Sequence, residues 1–157
     1  MFQQSSQHVA SYYAHSCADR LLQRPALEGG QDTEVLIIGA GFSGLHTALR
    51  LALAGKRVTL LEASRVAWAA SGRNGGQAIL GWSCDMPPLE RALGLERARR
   101  LWDGMRWAAD EIRALPQRHG FDCDYRAGHL WTSVMPRRVA MLHEWQEHAA
   151  HKWGHDQ

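Results

Sequence analysis

The sequence has few cysteines, with only Cys17, Cys84 and Cys123 among its 157 residues. They lie far apart, are odd in number, and belong to no C-x-x-C pair or other catalytic context. This pattern argues against a disulfide framework and is typical of proteins in a reducing compartment. We therefore expect a cytoplasmic protein.

Long apolar runs are also missing, since no stretch approaches the ~20 residues that a membrane span needs. The first thirty residues lack the basic start and apolar core of a signal peptide. The formal net charge is only +2, which gives no indication of a nucleic-acid or membrane-surface partner. The sequence predicts neither kind of partner.

Recognisable metal-binding and acid–base patterns are absent as well. Nine histidines occur, four of them near the end, but no HExxH motif or cysteine pair accompanies them. We predict no metal site and interpret the late histidines as a solvated helix face. His129 stands alone between two candidate strands and is interpreted as a packed or surface residue, so no catalytic residue is assigned.

What the sequence does contain is a strand–helix–strand pattern. Val35–Ile38 and Val58–Leu61 are short apolar runs, typical of parallel strands buried on both faces. Between them, leucines recur at helical spacing, and Gly55 stands where a left-handed C-cap would end that helix. The pattern predicts a βαβ unit.

Helical patterns dominate the later part of the chain. "DMPPLERALG" predicts a short helix ended by Gly94, and a longer amphipathic helix follows from Leu95 until Pro116 bends or ends it and Gly120 closes it. "CDYRAGHLWTSV" predicts two short strands around an Ala-Gly turn, and residues 137–152 predict another helix. We expect the tryptophans on these helical patterns to be core or interface residues rather than cofactor contacts; they are Trp102, Trp107, Trp145 and Trp153.

The segment "GAGFSG", Gly39 to Gly44, matches GxGxxG in the context that the motif needs, directly after a strand and at the start of a helix. Gly39 permits the tight turn, Gly41 lets the backbone approach a pyrophosphate, and Gly44 lets helix and strand pack closely. The helix N-terminus offers N–H groups to the phosphates. Glu62 ends the second strand, eighteen residues after Gly44, where an acidic side chain binds the ribose hydroxyls. We predict a dinucleotide site, against the alternative of a purely structural glycine turn.

The next loop bears on the choice between NAD and FAD. A simple NAD domain continues from its second strand into another helix–strand unit, but here "WAASGRNGGQAI" follows. Ser71 and Asn74 add side-chain donors, Arg73 adds a charge that could face phosphate, and Gly75 and Gly76 would admit a planar ring or pyrophosphate. The alternatives are a flexible surface loop and a piece of an NAD-dependent dehydrogenase. The second is disfavoured because no third Rossmann strand follows at short range.

The run "VLIIGAGFSGLHTALRLALAGKRVTLLEA", followed by "ASGRNGGQ", resembles the start of FAD-dependent oxidoreductases of the D-amino-acid oxidase and glycine oxidase type. Within that group the chain is most similar to gamma-glutamylputrescine oxidases, which share an N-terminal "SYYA"-like stretch and a segment like "CDYRAGHLW". The resemblance runs nearly from end to end, and the "SGRNGG" loop is its most specific element.

The resemblance implies a two-domain flavoenzyme that oxidises a C–N bond of a small-molecule amine such as gamma-glutamylputrescine, in putrescine catabolism. A hydride passes from the carbon bearing the amine to FAD, and the resulting imine hydrolyses to an aldehyde or keto product. Oxygen or another acceptor takes up the electrons. The resemblance also implies contacts with the pyrophosphate, the adenosine ribose, the adenine edge and the approach to the flavin ring, which come from Gly39, Gly41, Phe42, Ser43, Gly44, Glu62, Ala63, Ala70, Ser71, Asn74, Gly75, Gly76 and Gln77.

The fold class expected is α/β, a Rossmann-type FAD-binding βαβ unit with the beginning of an α+β substrate domain, incomplete. Residues 1–30 would be an N-terminal extension, 31–120 the FAD-binding segment with a helical insertion, and 121–157 the start of the substrate domain. Because enzymes of this type are more than twice as long, we expect a truncated gene, a fragment of a longer protein or a chain completed by a partner, and favour the first two. A non-catalytic dinucleotide-binding remnant stays open, so activity of this chain alone is left undecided.

Overall fold

The computed structural model describes residues 7–155, which contain two β-strands and five α-helices. By their contacts the residues group into two compact units, Met1–Gly76 and Gln77–Gln157, described separately below. The predicted domain boundaries after residues 30 and 120 are functional divisions and stay predictions. The elements in chain order are α1 (Tyr12–Ser16), β1 (Val35–Ile38), α2 (Phe42–Leu53), β2 (Val58–Leu61), α3 (Met86–Leu93), α4 (Leu95–His119) and α5 (Pro136–Trp153).

The first unit contains the predicted βαβ pattern. β1 and β2 pair in parallel, with Val35 opposite Val58 and Ile38 opposite Leu61, and α2 packs on both strands. Both strand predictions are confirmed to the residue. Gly55 has the expected left-handed backbone (φ +78°) just after α2, which lets the chain turn back into β2.

The prediction that β1 is buried on both faces is wrong. Leu36 and Ile38 are 52% and 84% exposed, whereas Val35 and Ile37, which alternate with them, are half-buried. The reason is the period of two along a strand: α2 covers the face that carries Val35 and Ile37 and leaves the other side chains open. An apolar run predicted the strand but not how many faces were covered.

The second unit is helical and is centred on a tryptophan cluster. The cluster comprises Ala98, Trp102 and Met105 of α4 with Trp153 at the end of α5. The indole rings of Trp102 and Trp153 stack, with centroids 5.6 Å apart and planes at 26°. The expectation of a core role is confirmed for these two residues, whereas Trp107 is 49% exposed.

Pro116 does not end α4, which continues to His119. Pro116 has no N–H, so the helix loses one main-chain hydrogen bond there, and only the last turn follows the proline. Gly120 then takes a left-handed conformation (φ +67°), and the Phe121 N–H bonds the Pro116 carbonyl, so the helix ends at the glycine.

Two further predictions need correction. Residues 121–134, all within the described range, form no strand, and Leu130 and Val134 are 83% and 100% exposed. A strand needs a neighbouring strand for its ladder of main-chain hydrogen bonds, and within residues 7–155 no strand pairs with this segment. Sequence patterning also missed the short helix α1, whose N-cap Ser11 accepts the Ala14 N–H.

Three further features of residues 7–155 concern helix hydropathy, metal-ligand groups and the cysteines. No helix in that range is long and apolar enough to cross a membrane. The same range holds no group of three or more His, Cys, Asp or Glu side chains placed to share a metal ion. Cys17, Cys84 and Cys123 are free and exposed.

Candidate functional site

The candidate site begins at the glycine turn between β1 and α2. Gly39 has φ +103°, a conformation that L side chains rarely adopt, and its N–H donates to the Leu61 carbonyl at 2.7 Å. A Cβ on Gly44 would overlap the Gly39 carbonyl oxygen. Both glycines are therefore required by backbone geometry, Gly39 for the turn and Gly44 for the close packing of α2 on the strand end.

Glu62, the residue after β2, is fixed by main-chain donors. Its Oε2 accepts the N–H of Ala40, which is fully buried, at 2.7 Å, and its Oε1 accepts the Ser64 N–H at 2.9 Å. These hydrogen bonds, that from Ala40 first, hold the pKa of Glu62 below its ordinary value. The Ala63 N–H is a third main-chain donor that lowers the pKa, and since a carboxylate has about four acceptor positions, these donors do not fill it. An exposed, ionised and oriented carboxylate of this kind can accept the two hydroxyls of a ribose and would repel a 2′-phosphate.

The start of α2 has no cap of its own. Its N-cap is Gly41, which has no side chain to accept a hydrogen bond, so the first N–H groups of the helix need other acceptors. One of them is provided for, because the Phe42 N–H donates to Ser71 Oγ at 2.9 Å. A Cβ on Gly41 would lie 3.0 Å from the same Oγ. The glycine thus leaves room for a polar group at the helix N-terminus.

The segment after β2 is tied back to the glycine turn. Ala67 has φ +56°, which is uncommon for a residue with a side chain, and its N–H donates to the Ala40 carbonyl at 2.9 Å. A Cβ on Gly72 would overlap the Ala67 carbonyl oxygen, so this glycine is also sterically required. Ala40 is therefore hydrogen-bonded to the segment after β2 through both its N–H and its carbonyl.

Asn74 organises its own loop. Its amide nitrogen donates to the carbonyls of Ala70 and Ser71 at 3.2 and 2.9 Å, and its Oδ1 accepts the Gly76 N–H at 2.9 Å. Both of its amide hydrogens are therefore used within the loop. This geometry makes Asn74 a brace for the backbone of the loop, whereas the sequence suggested a donor to a ligand.

Arg73 is held against Trp68. Its Nε donates to the Trp68 carbonyl at 2.9 Å, and the guanidinium lies 4.6 Å above the centre of the Trp68 ring. The Trp68 indole N–H in turn donates to the Gln7 carbonyl at 2.9 Å. The structure thus gives Arg73 a bracing role through a cation–π contact, where the sequence suggested a phosphate contact.

The structure brings most of the sequence-predicted residues to one place, the carboxyl ends of β1 and β2. Gly39, Gly41, Phe42 and Gly44 form the turn and the helix start, and Glu62 and Ser71 reach them by hydrogen bonds. The remaining predicted residues lie in α2, directly after Glu62 or in the loop that follows; they are Ser43, Ala63, Ala70, Asn74, Gly75, Gly76 and Gln77. Of these, Gln77 belongs to the second of the two units.

Sequence reasoning missed Ala40, Ser64 and Ala67, because all three act through their main-chain groups. An alanine between two motif glycines gave a weak signal of tight packing at Ala40. No sequence signal marked Ala67.

The chemistry of this arrangement fits the adenosine diphosphate part of a dinucleotide. The helix start offers N–H groups and a partial positive charge to phosphate, Glu62 offers acceptors to the ribose, and the glycines keep side chains out of the space between them. The residues present therefore fit the group that the sequence motif implies.

Comparisons with known proteins agree with this geometry. A family model described as FAD dependent oxidoreductase matches residues 34–157. The chain is 39% identical over 142 residues to the gamma-glutamylputrescine oxidoreductase of Escherichia coli, covering 90% of this chain and 33% of that protein. It is 35% identical over 149 residues to the probable oxidoreductase OrdL of Haemophilus influenzae, covering 95% of this chain and 34% of that protein.

The chain thus spans about a third of the length of these curated relatives. No solved structure matches it significantly. The family match extends over most of the chain and includes the glycine turn, Glu62 and the Ser71–Gly76 loop, and it shows that the chain belongs to the DAO family of FAD-dependent oxidoreductases.

Proposed function

We propose that this chain carries the part of a flavoprotein amine oxidoreductase that binds the adenosine diphosphate half of FAD. The observation that supports this most directly is the pairing of Glu62 with the glycine turn. The Glu62 carboxylate is held by the Ala40 N–H at 2.7 Å, one residue from each of the motif glycines Gly39 and Gly41. A ribose acceptor and a phosphate-binding helix start are thereby fixed relative to each other.

The residues proposed to hold FAD are those expected from the sequence. Main-chain N–H groups at the start of α2 would take the pyrophosphate, and Glu62 and Ala63 would take the adenosine. The loop would wrap the pyrophosphate and lead towards the flavin, through Ala70, Ser71, Asn74, Gly75, Gly76 and Gln77, with Ser71 and Asn74 acting through the loop backbone. Gly39, Gly41, Phe42, Ser43 and Gly44 line the other side.

For the whole protein we propose oxidation of a C–N bond in a small amine. Bound FAD supplies the hydride acceptor for this chemistry. The name of the Escherichia coli relative makes gamma-glutamylputrescine the proposed substrate. Within the described part of this chain we assign no acid–base residue, and the substrate contacts are proposed to lie largely in sequence that the relatives have beyond the matched third.

The first experiment is a visible absorption spectrum of the purified chain, with released cofactor identified by chromatography. We expect a flavin spectrum and FAD, either as purified or after addition of FAD. A chain that binds NAD and never FAD would contradict the proposal in favour of a dehydrogenase piece. Peroxide formation with an amine substrate would exclude a non-catalytic remnant.

A pair of variants tests the site itself. Glu62→Ala should weaken binding of ADP and of FAD by ~1–3 kcal/mol, because the ribose hydroxyls lose their acceptor. Glu34→Ala is the matched control, since Glu34 also accepts a main-chain N–H, that of Arg57 at 2.7 Å, but at the opposite ends of the strands. Calorimetric titration should show the loss of affinity for Glu62→Ala only. Equal affinities of the Glu62→Ala and Glu34→Ala variants would contradict the ribose contact.

A further inference from the structure

The start of α2 depends on a side chain from a distant segment. The first main-chain bond within this turn joins the Leu45 N–H to the Gly41 carbonyl at 2.9 Å, so the Phe42 N–H has no acceptor in its own helix. Ser71, 29 residues further along the chain, provides one, with its Oγ at 2.9 Å. Ser71 thus caps the first helical residue from outside the helix, whereas the side chain of an N-cap residue would accept from the second or third N–H.

The position of the Ser71 hydroxyl depends on three structural features. It lies in a short 3₁₀ turn, Ala70–Gly72, whose last residue packs against Ala67. The Ser71 carbonyl accepts the Asn74 side-chain amide at 2.9 Å. Gly41 leaves the required space, because a Cβ there would approach the hydroxyl to 3.0 Å. The hydroxyl is thus held at the helix start by a built arrangement.

This hydroxyl accepts from an N–H group that the bound pyrophosphate would also use, since phosphates bind at the first N–H groups of such a helix. A phosphate oxygen is the stronger acceptor, because hydrogen bonds to an ionised acceptor are about twice as strong as neutral ones. The partial positive charge of the helix N-terminus adds to the preference for the anion. One N–H cannot give both acceptors a linear hydrogen bond.

We propose that Ser71 is an exchangeable cap, a positioning residue whose hydroxyl holds the Phe42 N–H in the free chain and yields it to a phosphate oxygen of the bound dinucleotide. This inference rests on the proposed function for its ligand. The exchange keeps the Phe42 N–H satisfied before FAD arrives and frees the Ser71 hydroxyl once the pyrophosphate is bound.

The proposal predicts effects of opposite sign on stability and on affinity. A residue that only contacts the ligand would weaken binding when truncated and leave the free chain unchanged. An exchangeable cap stabilises the free form, and the ligand must displace it. Ser71→Ala should therefore destabilise the free chain and tighten ADP binding by about two- to five-fold, the range expected when one solvent-accessible hydrogen bond no longer has to be broken.

The test uses the full 157-residue chain with ADP and FAD as probes. Ser71→Ala, Ser71→Thr and Ser64→Ala are compared by calorimetric titration and by amide hydrogen exchange of Phe42 in the free chain. Ser64 is a matched control, because it donates its main-chain N–H to Glu62 and alanine keeps that N–H. In the Ser71→Ala variant we expect the hydrogen of the Phe42 amide to exchange about five-fold faster and ADP to bind more tightly. Ser71→Thr, which keeps the hydroxyl, and Ser64→Ala, which keeps the main-chain N–H, should both exchange the Phe42 amide at the rate of the parent chain.

Weaker ADP binding by Ser71→Ala would overturn the proposal and make Ser71 a direct ligand contact. Unchanged exchange at Phe42 would overturn it as well, since the hydroxyl would not be a cap. If neither the parent chain nor any variant binds ADP or FAD, the proposed function fails for this chain. In that case faster exchange in Ser71→Ala would still establish a fixed cap, but the exchange with a ligand would be overturned.

Discussion

The glycine turn and the tryptophan cluster are built in opposite ways. Around Gly39–Gly44, main-chain N–H groups donate to the Leu61 carbonyl and to the side chains of Glu62 and Ser71, and Ala40 is fully buried there. In the second unit, Trp102 and Trp153 stack and bury large apolar surfaces. The turn keeps its shape because its glycines place no side chain between closely packed backbone atoms, whereas the cluster is stabilised by the burial of large side chains.

This difference indicates where each region is sensitive to mutation. Removing side-chain volume should damage the tryptophan cluster, because a cavity loses both hydrophobic transfer energy and packing contacts. Adding volume should damage the turn, because the backbone atoms that meet there cannot move away easily. A site that binds a ligand through its backbone needs this close approach, and a helical core does not.

The largest effect is expected in the tryptophan cluster. Trp102→Ala should lower the free energy of unfolding by about 3–5 kcal/mol, because a nearly buried ring is removed from between α4 and the end of α5. Trp107→Ala on the same helix is the control, since Trp107 is 49% exposed, and a loss of about 1 kcal/mol or less is expected. Urea unfolding followed by circular dichroism measures both. Equal losses would mean that burial does not distinguish the two tryptophans.

The next effect tests the turn with a single methyl group. Gly44→Ala should destabilise the chain by about 1–3 kcal/mol, since the new Cβ would overlap the Gly39 carbonyl oxygen. Gly104→Ala in α4 is the same chemical change in open space, and there alanine should stabilise the helix by about 0.5–1 kcal/mol. Urea unfolding should give shifts of opposite sign, and shifts of the same sign would contradict the steric argument.

The smallest effect concerns charge in the helical unit. Glu90 of α3 accepts from His148 Nε2 at 2.7 Å and from Lys152 Nζ, both on α5. Partial burial acts to raise the pKa of Glu90, but the hydrogen bonds from Lys152 and His148 outweigh it, so the pKa lies below its ordinary value. Glu90→Gln should therefore cost about 1 kcal/mol near neutral pH, a modest value because both partners are partly solvated.

The pH dependence of that cost has a definite sign. A carboxylate whose pKa is lowered by folding contributes its stability fully above its unfolded pKa and loses it as the pH falls through the folded pKa. The difference between parent and Glu90→Gln should shrink from about pH 5 towards about pH 3. Glu96→Gln is the control, because Glu96 and its partner Arg100 are largely exposed, and its effect should stay near zero. A difference in unfolding free energy between the parent and Glu90→Gln that does not change with pH would contradict stabilisation of the Glu90 carboxylate by His148 and Lys152.

Much of the site was predictable because its signals are local. Val35–Ile38 and Val58–Leu61 follow from short apolar runs, and Gly39, Gly44 and Glu62 follow from a motif whose spacing reflects strand and helix lengths. The contacts that join the two segments were not predictable. Ser71 reaches Phe42 across 29 residues, and Asn74 turns inward to its own loop. Neither residue type specifies which partner it will take.

The sequence by itself determined the βαβ pattern, the glycine positions and the acidic residue after β2, because each depends on backbone geometry within a few residues. Tertiary structure alone decided that one face of β1 is open, that Arg73 lies on Trp68, and that residues 121–134 form no strand. Those outcomes depend on which other segment is present to cover a face, accept a hydrogen bond or pair with an extended chain. The local sequence pattern determines whether a segment can form a strand, a helix or a turn, and the neighbouring segments determine which of its faces are buried and which contacts it makes.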